Sequence, residues 1–331
     1  MEFRTDLADE REIILTRKQN KRNDKNKLEN EKDNEENIQK IDGLESSVEK
    51  INEKITVNKV KILNESASKK LDKSIGTYTT INIKDMKLIS NDDLNKASKM
   101  LSNEIIKMVE NKKSILIIGL GNEDTTADSL GTKVIKDIKI TRHILKYNPE
   151  LLPNNSKEIS AFAPGVLGNT GIETQEIVKS IVKKIQPDLV IVIDALMSTN
   201  ISRLLSTIQI SNTGITPGGG LGNKRKEISI NTIGVPVISI GVPTLVDAST
   251  IVADSLNILI DRVDEFNKKE KIIDENTIEL IKNVDYEDKY RLIKDVLEIS
   301  KYNLAVMPKE IDSLVDSMNI IISSAINMAL T

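Results

Sequence analysis

Two aspartates carry the strongest chemical signal in this chain. Asp128 follows the apolar run Ser114-Ile-Leu-Ile-Ile118 across the turn Gly119-Leu-Gly121, and Asp194 closes the run Asp188-Leu-Val-Ile-Val-Ile-Asp194. An uncharged, β-branched run reads as a strand buried on both faces of a parallel sheet. In open α/β sheets, sites form outside the carboxyl ends of such strands. If the two strands are near neighbours, both carboxylates face one crevice. Like charges at close range make one carboxyl keep its proton while the other stays ionised. Such a pair suits amide hydrolysis: the ionised acid activates water, and the protonated acid polarises the carbonyl and then protonates the leaving amine. Backbone amides of the Gly119 to Gly121 turn, or of the helix start after it, are available to an oxyanion.

Other readings stand beside the dyad. Thr125 followed by Asp128 fits an N-cap with a first-turn acid, which the helix dipole favours by itself. Asp194 is harder to dismiss as structural, because a carboxylate ending a buried strand needs a partner. A carboxylate metal site would use Asp128, Asp194 and Glu173. A dinucleotide site is rejected: in Gly119-Leu-Gly121-Asn-Glu-Asp124 the third glycine is missing, and Glu123, Asp124 and Asp128 would repel a pyrophosphate.

Composition removes further classes. The chain has 331 residues and no cysteine, so disulfides, thiolate metal sites and cysteine nucleophiles are excluded. Its single histidine, His143, cannot make a two-histidine zinc helix, and its polar surroundings point to a surface position. Ser180-Ile-Val-Lys183 has the spacing of a serine–lysine pair but lies mid-helix, and no Gly-x-Ser-x-Gly elbow occurs. With 47 basic and 50 acidic residues, net −3, there is no general attraction to nucleic acid. The N-terminus lacks the apolar core of a signal peptide, and no run of about 20 apolar residues suggests a membrane span. A soluble, intracellular protein without a cofactor or metal is expected.

The elements that would position these acids can be read in order. Residues 17–40 are a polar, low-complexity segment, since from Arg17 to Asn37 the only apolar residue is Leu28. Ile55–Ile62 and Tyr78–Ile83 alternate as an antiparallel pair flanking the main sheet. Helices are expected over Leu94–Val109, Ala127–Asp137 and, from a capping box at Thr170-Gly-Ile-Glu173, up to Gln186. Glu158–Ala163, Leu204–Ile210, Ile228–Ile233 and Val237–Ile240 read as strands. Asp247 opens a helix to about Leu259, and Glu310 to Leu330 closes the chain with another. The loop Thr213 to Asn223, with Gly218 and Gly220, reads either as a turn region or as a mobile loop over a site. The fold class is α/β: a three-layer α/β/α sandwich with a mostly parallel sheet, in one catalytic domain.

Several stretches together resemble the germination protease family of spore-forming bacteria. They are Arg4-Thr-Asp-Leu-Ala8, Gly76-Thr-Tyr-Thr-Thr-Ile81, Gly119-Leu-Gly-Asn122 with Thr125 to Gly131, Ala163-Pro-Gly-Val-Leu-Gly168, Thr170-Gly-Ile-Glu-Thr174 and Ile193-Asp-Ala-Leu196. The series continues with Thr207-Ile-Gln-Ile210, Thr213-Gly-Ile215, Pro217 to Arg225, Gly234-Val-Pro-Val237, Gly241-Val-Pro-Thr244 and Met307-Pro-Lys-Glu-Ile-Asp312. The resemblance implies a phosphorylase/hydrolase-like fold similar to the hydrogenase maturation peptidases. It also implies an atypical aspartic endopeptidase that degrades small acid-soluble spore proteins, assembles as a homotetramer and resides in the forespore and spore core. The family's two essential aspartates fall on Asp128 and Asp194. Its self-cleavage site falls on Asp6-Leu7, which leaves residues 1–6 as a short propeptide and 7–331 as the catalytic domain. Gly119, Gly121, Asn122, Glu173, Gly218 and Gly220 are expected around the site. Thr199 and Asn212 stand where the family leads one to expect arginine and aspartate.

Overall fold

The computed structural model describes residues 5–16, 41–218, 225–270, 274, 284–299 and 304–331. The expected polar segment from residue 17 therefore lies outside the described residues, as do Arg4 and Gly220.

The alternation expected of the early strands is realised in a mixed sheet. Among the described residues its nine strands are β1 (Leu44–Lys50), β2 (Ile55–Ile62), β3 (Gly76–Ile83), β4 (Ser114–Gly119), β5 (Glu158–Phe162), β6 (Leu189–Ser198), β7 (Thr207–Ser211), β8 (Val237–Asp247) and β9 (Ala305–Val306). Their order is β1-β2-β3-β7-β8-β6-β4-β5, with β9 pairing β8. β8, β6, β4 and β5 run parallel, whereas β1, β2, β3 and β7 pair antiparallel up to the edge of β8. The parallel half is the one made of apolar runs, as double-sided burial requires.

Alternate residues of those runs feed two cores. Ile115 and Ile117 of β4 and Ile191 and Ile193 of β6 pack with helices Asn91–Met108, Leu130–Lys136 and Ile311–Leu330. Leu116, Ile118, Val190 and Val192 point the other way, towards Val178 and Val182 of helix Thr174–Ile185. Each fully buried side chain of this size contributes about 1.5–3 kcal/mol, so the central strands are pinned from both faces. A helix at residues 8–16 and helix Glu65–Leu71 cover the second face over the antiparallel half, where Ala8, Val60, Ile62, Ala67, Leu71 and Tyr78 form a third cluster. The α/β fold with helices on both faces agrees with the sequence reading. Helix Ile311–Leu330 has the length and hydropathy of a membrane span, but half of that stretch is buried inside the fold.

Four local expectations are corrected. Asp194 does not end β6, which runs on to Ser198 with an irregularity between Leu196 and Met197. The helix expected over Ala127–Asp137 divides into a 3-10 turn, Thr126–Asp128, and helix Leu130–Lys136. No capping box forms at Thr170, because that residue closes a separate turn of helix, Leu167–Thr170, and helix Thr174–Ile185 starts at Glu173 without a side-chain cap. Ile228–Ile233 is not a strand: Ile228 makes one bridge to Ile215, and Ile230–Ile233 is a helical turn capped by Ser229 and Thr232. The sequence reading lacks the strand Leu44–Lys50 and the helices Glu65–Leu71 and Tyr286–Ile299.

Candidate active site

The two aspartates reach one cavity by different routes. β4 and β6 are adjacent and parallel, with Gly119 opposite Ile193. Asp194 therefore stands one residue beyond the pairing level of the β4 terminus. Asp128 comes back to that level through a tight corner. Gly121 has φ +108°, and a Cβ there would lie 1.9 Å from the Asp128 carbonyl oxygen. Behind the corner, a Cβ on Gly131 would lie 2.3 Å from the Leu120 oxygen and 2.6 Å from that of Ile193. Glycine at these positions lets helix Leu130–Lys136 press against both strand ends.

Asp128 and Asp194 line a cavity of about 240 Å³ whose wall also includes Asp6, Gly121, Thr174, Gly218 and Arg225. Asp194 is buried, and its Oδ1 accepts the Ala195 amide at 2.9 Å. Burial, then the charges of Asp128 and Asp6, raises its carboxyl well above the ordinary value, against the Ala195 amide and the Arg225 guanidinium. Asp128 is partly buried, and its Oδ2 accepts the Asn122 amide at 2.9 Å. Burial raises its carboxyl too, opposed by the Asn122 amide and Arg225. Two neighbouring carboxyls that resist ionisation, the buried one more strongly, can divide the roles of proton donor and proton acceptor.

Asp6 enters the same wall from the N-terminal segment. Its amide donates to the Met197 carbonyl at 2.9 Å, and the Met197 amide donates to Asp6 Oδ2 at 2.9 Å. Its carbonyl oxygen accepts Lys73 Nζ at 2.8 Å and Gln209 Nε2 at 3.3 Å. Leu7 and Ala8 are fully buried, and the Ala8 amide donates to Gln209 Oε1 at 2.8 Å. Beyond them, Asp9 and Glu10 pair with Arg203 at 2.7 and 3.5 Å. Glu10 also accepts Ser198 Oγ and the Thr199 amide and hydroxyl, which ties this segment to the end of β6.

The remaining expected residues divide. Gly121 and Gly218 lie on the cavity wall, and Asn122 contributes its amide to Asp128. Gly119 lies behind the corner, where a Cβ would meet the Gly131 oxygen at 2.1 Å. Glu173 does not line the cavity; its carboxylate faces the Lys226 amide at 3.4 Å, and Thr174 takes the wall position. Among the described residues no three of His, Cys, Asp and Glu cluster as a metal site would require. The departures are accommodated locally: Thr199 donates to Glu10, and Asn212 Oδ1 accepts the Thr77 amide.

Sequence reasoning missed Lys73, Gln209, Arg225 and Gly241. Only Gln209 had a signal, a lone amide inside the apolar strand Thr207-Ile-Gln-Ile210. In the sheet Gly241 pairs with Asp194 on one side and Gln209 on the other. Directly paired residues project to the same face, so the dyad acid and the amide flank a position without a side chain.

Comparison with known proteins places the chain in a family. The family model for germination proteases matches residues 22–275 and 264–331. A germination protease of Caldanaerobacter subterraneus is 44% identical over 280 residues, covering 84% of this chain and 85% of that protein. One from Clostridium tetani is 41% identical over 298 residues, covering 89% and 91%, and one from Bacillus cytotoxicus is 37% identical over 314 residues, covering 85% of each. A solved hydrogenase maturation protease, HycI of Thermococcus kodakarensis, covers 43% of this chain and 80% of its own at 18% identity with a TM-score of 0.28, a likeness too slight to bear on the site. With matches of this length and identity to several relatives, the chain belongs to the germination protease family.

Proposed function

We propose that this protein is an endopeptidase that begins the degradation of small acid-soluble spore proteins at germination. It is made as a precursor that removes its own residues 1–6, and it uses Asp128 and Asp194 as an aspartic pair. The observation that carries the reading is the position of Asp6: the residue on the acyl side of the expected cut shares a cavity wall with both proposed catalytic acids.

In this mechanism Asp194, whose carboxyl is raised further, holds the proton, and Asp128 is the base. Asp128 takes a proton from water, the water oxygen adds to the Asp6 carbonyl carbon, and Asp194 protonates the Leu7 nitrogen as the carbon–nitrogen bond breaks. Before cleavage Asp6 occupies the place of the substrate's acyl residue, so the precursor is inhibited by its own segment. A homotetramer in the spore interior, acting without a cofactor, completes the reading on the strength of the resemblance.

Incubation of the purified protein with a small acid-soluble spore protein, followed by mass mapping of the products, tests substrate and bond together. Cuts after an acidic residue and before a large apolar one are expected. Asp128→Asn and Asp194→Asn should each lower self-cleavage and substrate cleavage by roughly 10²–10⁴-fold with the fold intact; full activity in either variant would sink the pair. Overnight chelation should leave the wild-type rate unchanged, because Glu173 stands away from the two acids. A loss restored by a divalent ion would transfer the reading to metal-assisted hydrolysis.

A further inference from the structure

Asp6 lines two cavities. One is the cavity of Asp128 and Asp194; the other is a cavity of about 130 Å³ lined by Asp6, Lys73, Gln209 and Gly241. The Asp6 carbonyl oxygen faces the second, where it accepts Lys73 Nζ and Gln209 Nε2. Its two donors come from unrelated elements. Lys73 follows Asp72, a left-handed residue (φ 52°) that ends helix Glu65–Leu71. Gln209 is fixed in β7 between β3 and β8, opposite Thr80 and Gly241.

Gln209 spans the bond itself. Its Nε2 holds the carbonyl on the acyl side while its Oε1 accepts the amide of Ala8, one residue past Leu7. A single side-chain amide thereby sets the register of the peptide against β7. The Met197 backbone grips the other end by exchanging hydrogen bonds with the Asp6 amide and carboxylate. Gly241 leaves the floor between β6 and β7 free of a side chain, and a Cβ there would press on Leu196 at 2.4 Å.

We propose that Lys73 and Gln209 form the oxyanion clamp for the Asp6-Leu7 bond, a role that rests on the self-cleavage reading above. As water adds to the carbonyl carbon, the π pair moves onto the Asp6 oxygen, and the charge that develops there is met by the lysine ammonium and the glutamine N–H. When the tetrahedral carbon collapses, that pair re-forms the carbonyl. The carbon–nitrogen pair departs with Leu7, which takes its proton from Asp194, and the remaining water proton leaves with the new carboxyl group. Donors already aimed at the oxygen need no reorganisation at the moment of reaction. The clamp thus assigns to two side chains the oxyanion role for which the sequence suggested backbone amides of the Gly119 turn.

The test is the first-order rate at which the full chain acquires a Leu7 N-terminus, followed by intact mass. Lys73→Met and Gln209→Glu should each slow it by roughly 10²–10³-fold; the glutamate keeps an acceptor for the Ala8 amide, loses the donor to the carbonyl and sets a negative charge against the developing oxyanion. Lys73→Arg should recover part of the loss, which a purely steric role would not allow. Circular dichroism and thermal unfolding establish that each variant is folded, and if Lys73→Met unfolds, Gln209→Glu and Lys73→Arg decide. Wild-type rates in folded Lys73→Met and Gln209→Glu, with Asp128→Asn inactive, would overturn the clamp and leave the aspartic pair standing. A wild-type chain that never gains the Leu7 N-terminus would overturn the self-cleavage reading and the clamp with it.

Discussion

The burial of Asp194 ties the stability of the fold to pH. Its carboxyl is raised well above the ordinary value in the fold, so the native state holds more protons than the unfolded chain between the two values. Stability from this group is therefore fully present at low pH and is lost as pH rises from the ordinary carboxyl value through the raised one. Asp194→Asn removes that penalty, and its melting temperature at neutral pH should exceed the wild type's by a few degrees while self-cleavage collapses. An unchanged or lower melting temperature would mean that the Asp194 charge is compensated in the fold. The same shifts give the rate a bell-shaped pH profile. Self-cleavage should rise as Asp128 loses its proton, at a pH above the ordinary carboxyl value because burial raises it, and should fall again as Asp194 loses its own. A rate that stays flat across both limbs would contradict the assignment of base and acid.

Two elements position these groups, and each has a weak point that can be probed. The corner between β4 and helix Leu130–Lys136 closes only because Gly121 adopts φ +108° and leaves room for the Asp128 carbonyl. Gly121→Ala should destabilise the protein by about 2 kcal/mol or more and slow cleavage by displacing Asp128, measured by denaturant unfolding and intact mass. The N-terminal helix is held by the near-buried pairing of Arg203 with Asp9 and Glu10. Removing one partner leaves carboxylates without compensation, so Arg203→Leu should destabilise the fold by about 3–5 kcal/mol. It should also loosen Asp6 from Met197, which hydrogen exchange at the Asp6 and Met197 amides would reveal.

At the scale of the whole molecule, the segment proposed to be cut is packed into the same chain that holds the acids: Leu7 and Ala8 are fully buried, and Asp6 is bonded to β6. Self-cleavage should accordingly be independent of protein concentration over a hundredfold dilution; a rate that scales with concentration would show one molecule cutting another. Much of this arrangement was legible beforehand. Apolar runs too long and too β-branched to face water identified the central strands, because local composition reports burial directly, and Asp128 and Asp194 stood out as acids near those runs. The exact end of β6 was not legible: Asp194 after an apolar run looked like a terminus, whereas pairing with β8 carries the strand to Ser198. Lys73 carried no signal as a site residue, and Gln209 only that of a lone amide in an apolar strand. They sit 136 positions apart, and nothing in either neighbourhood encodes that one peptide will pass between them. By itself the sequence determined the sheet-forming runs and the two acids beside them, since each depends on residues close together in the chain. Only the tertiary structure decided what meets around Asp6 and Leu7, because strand order and the docking of the N-terminal helix are set by packing between distant segments.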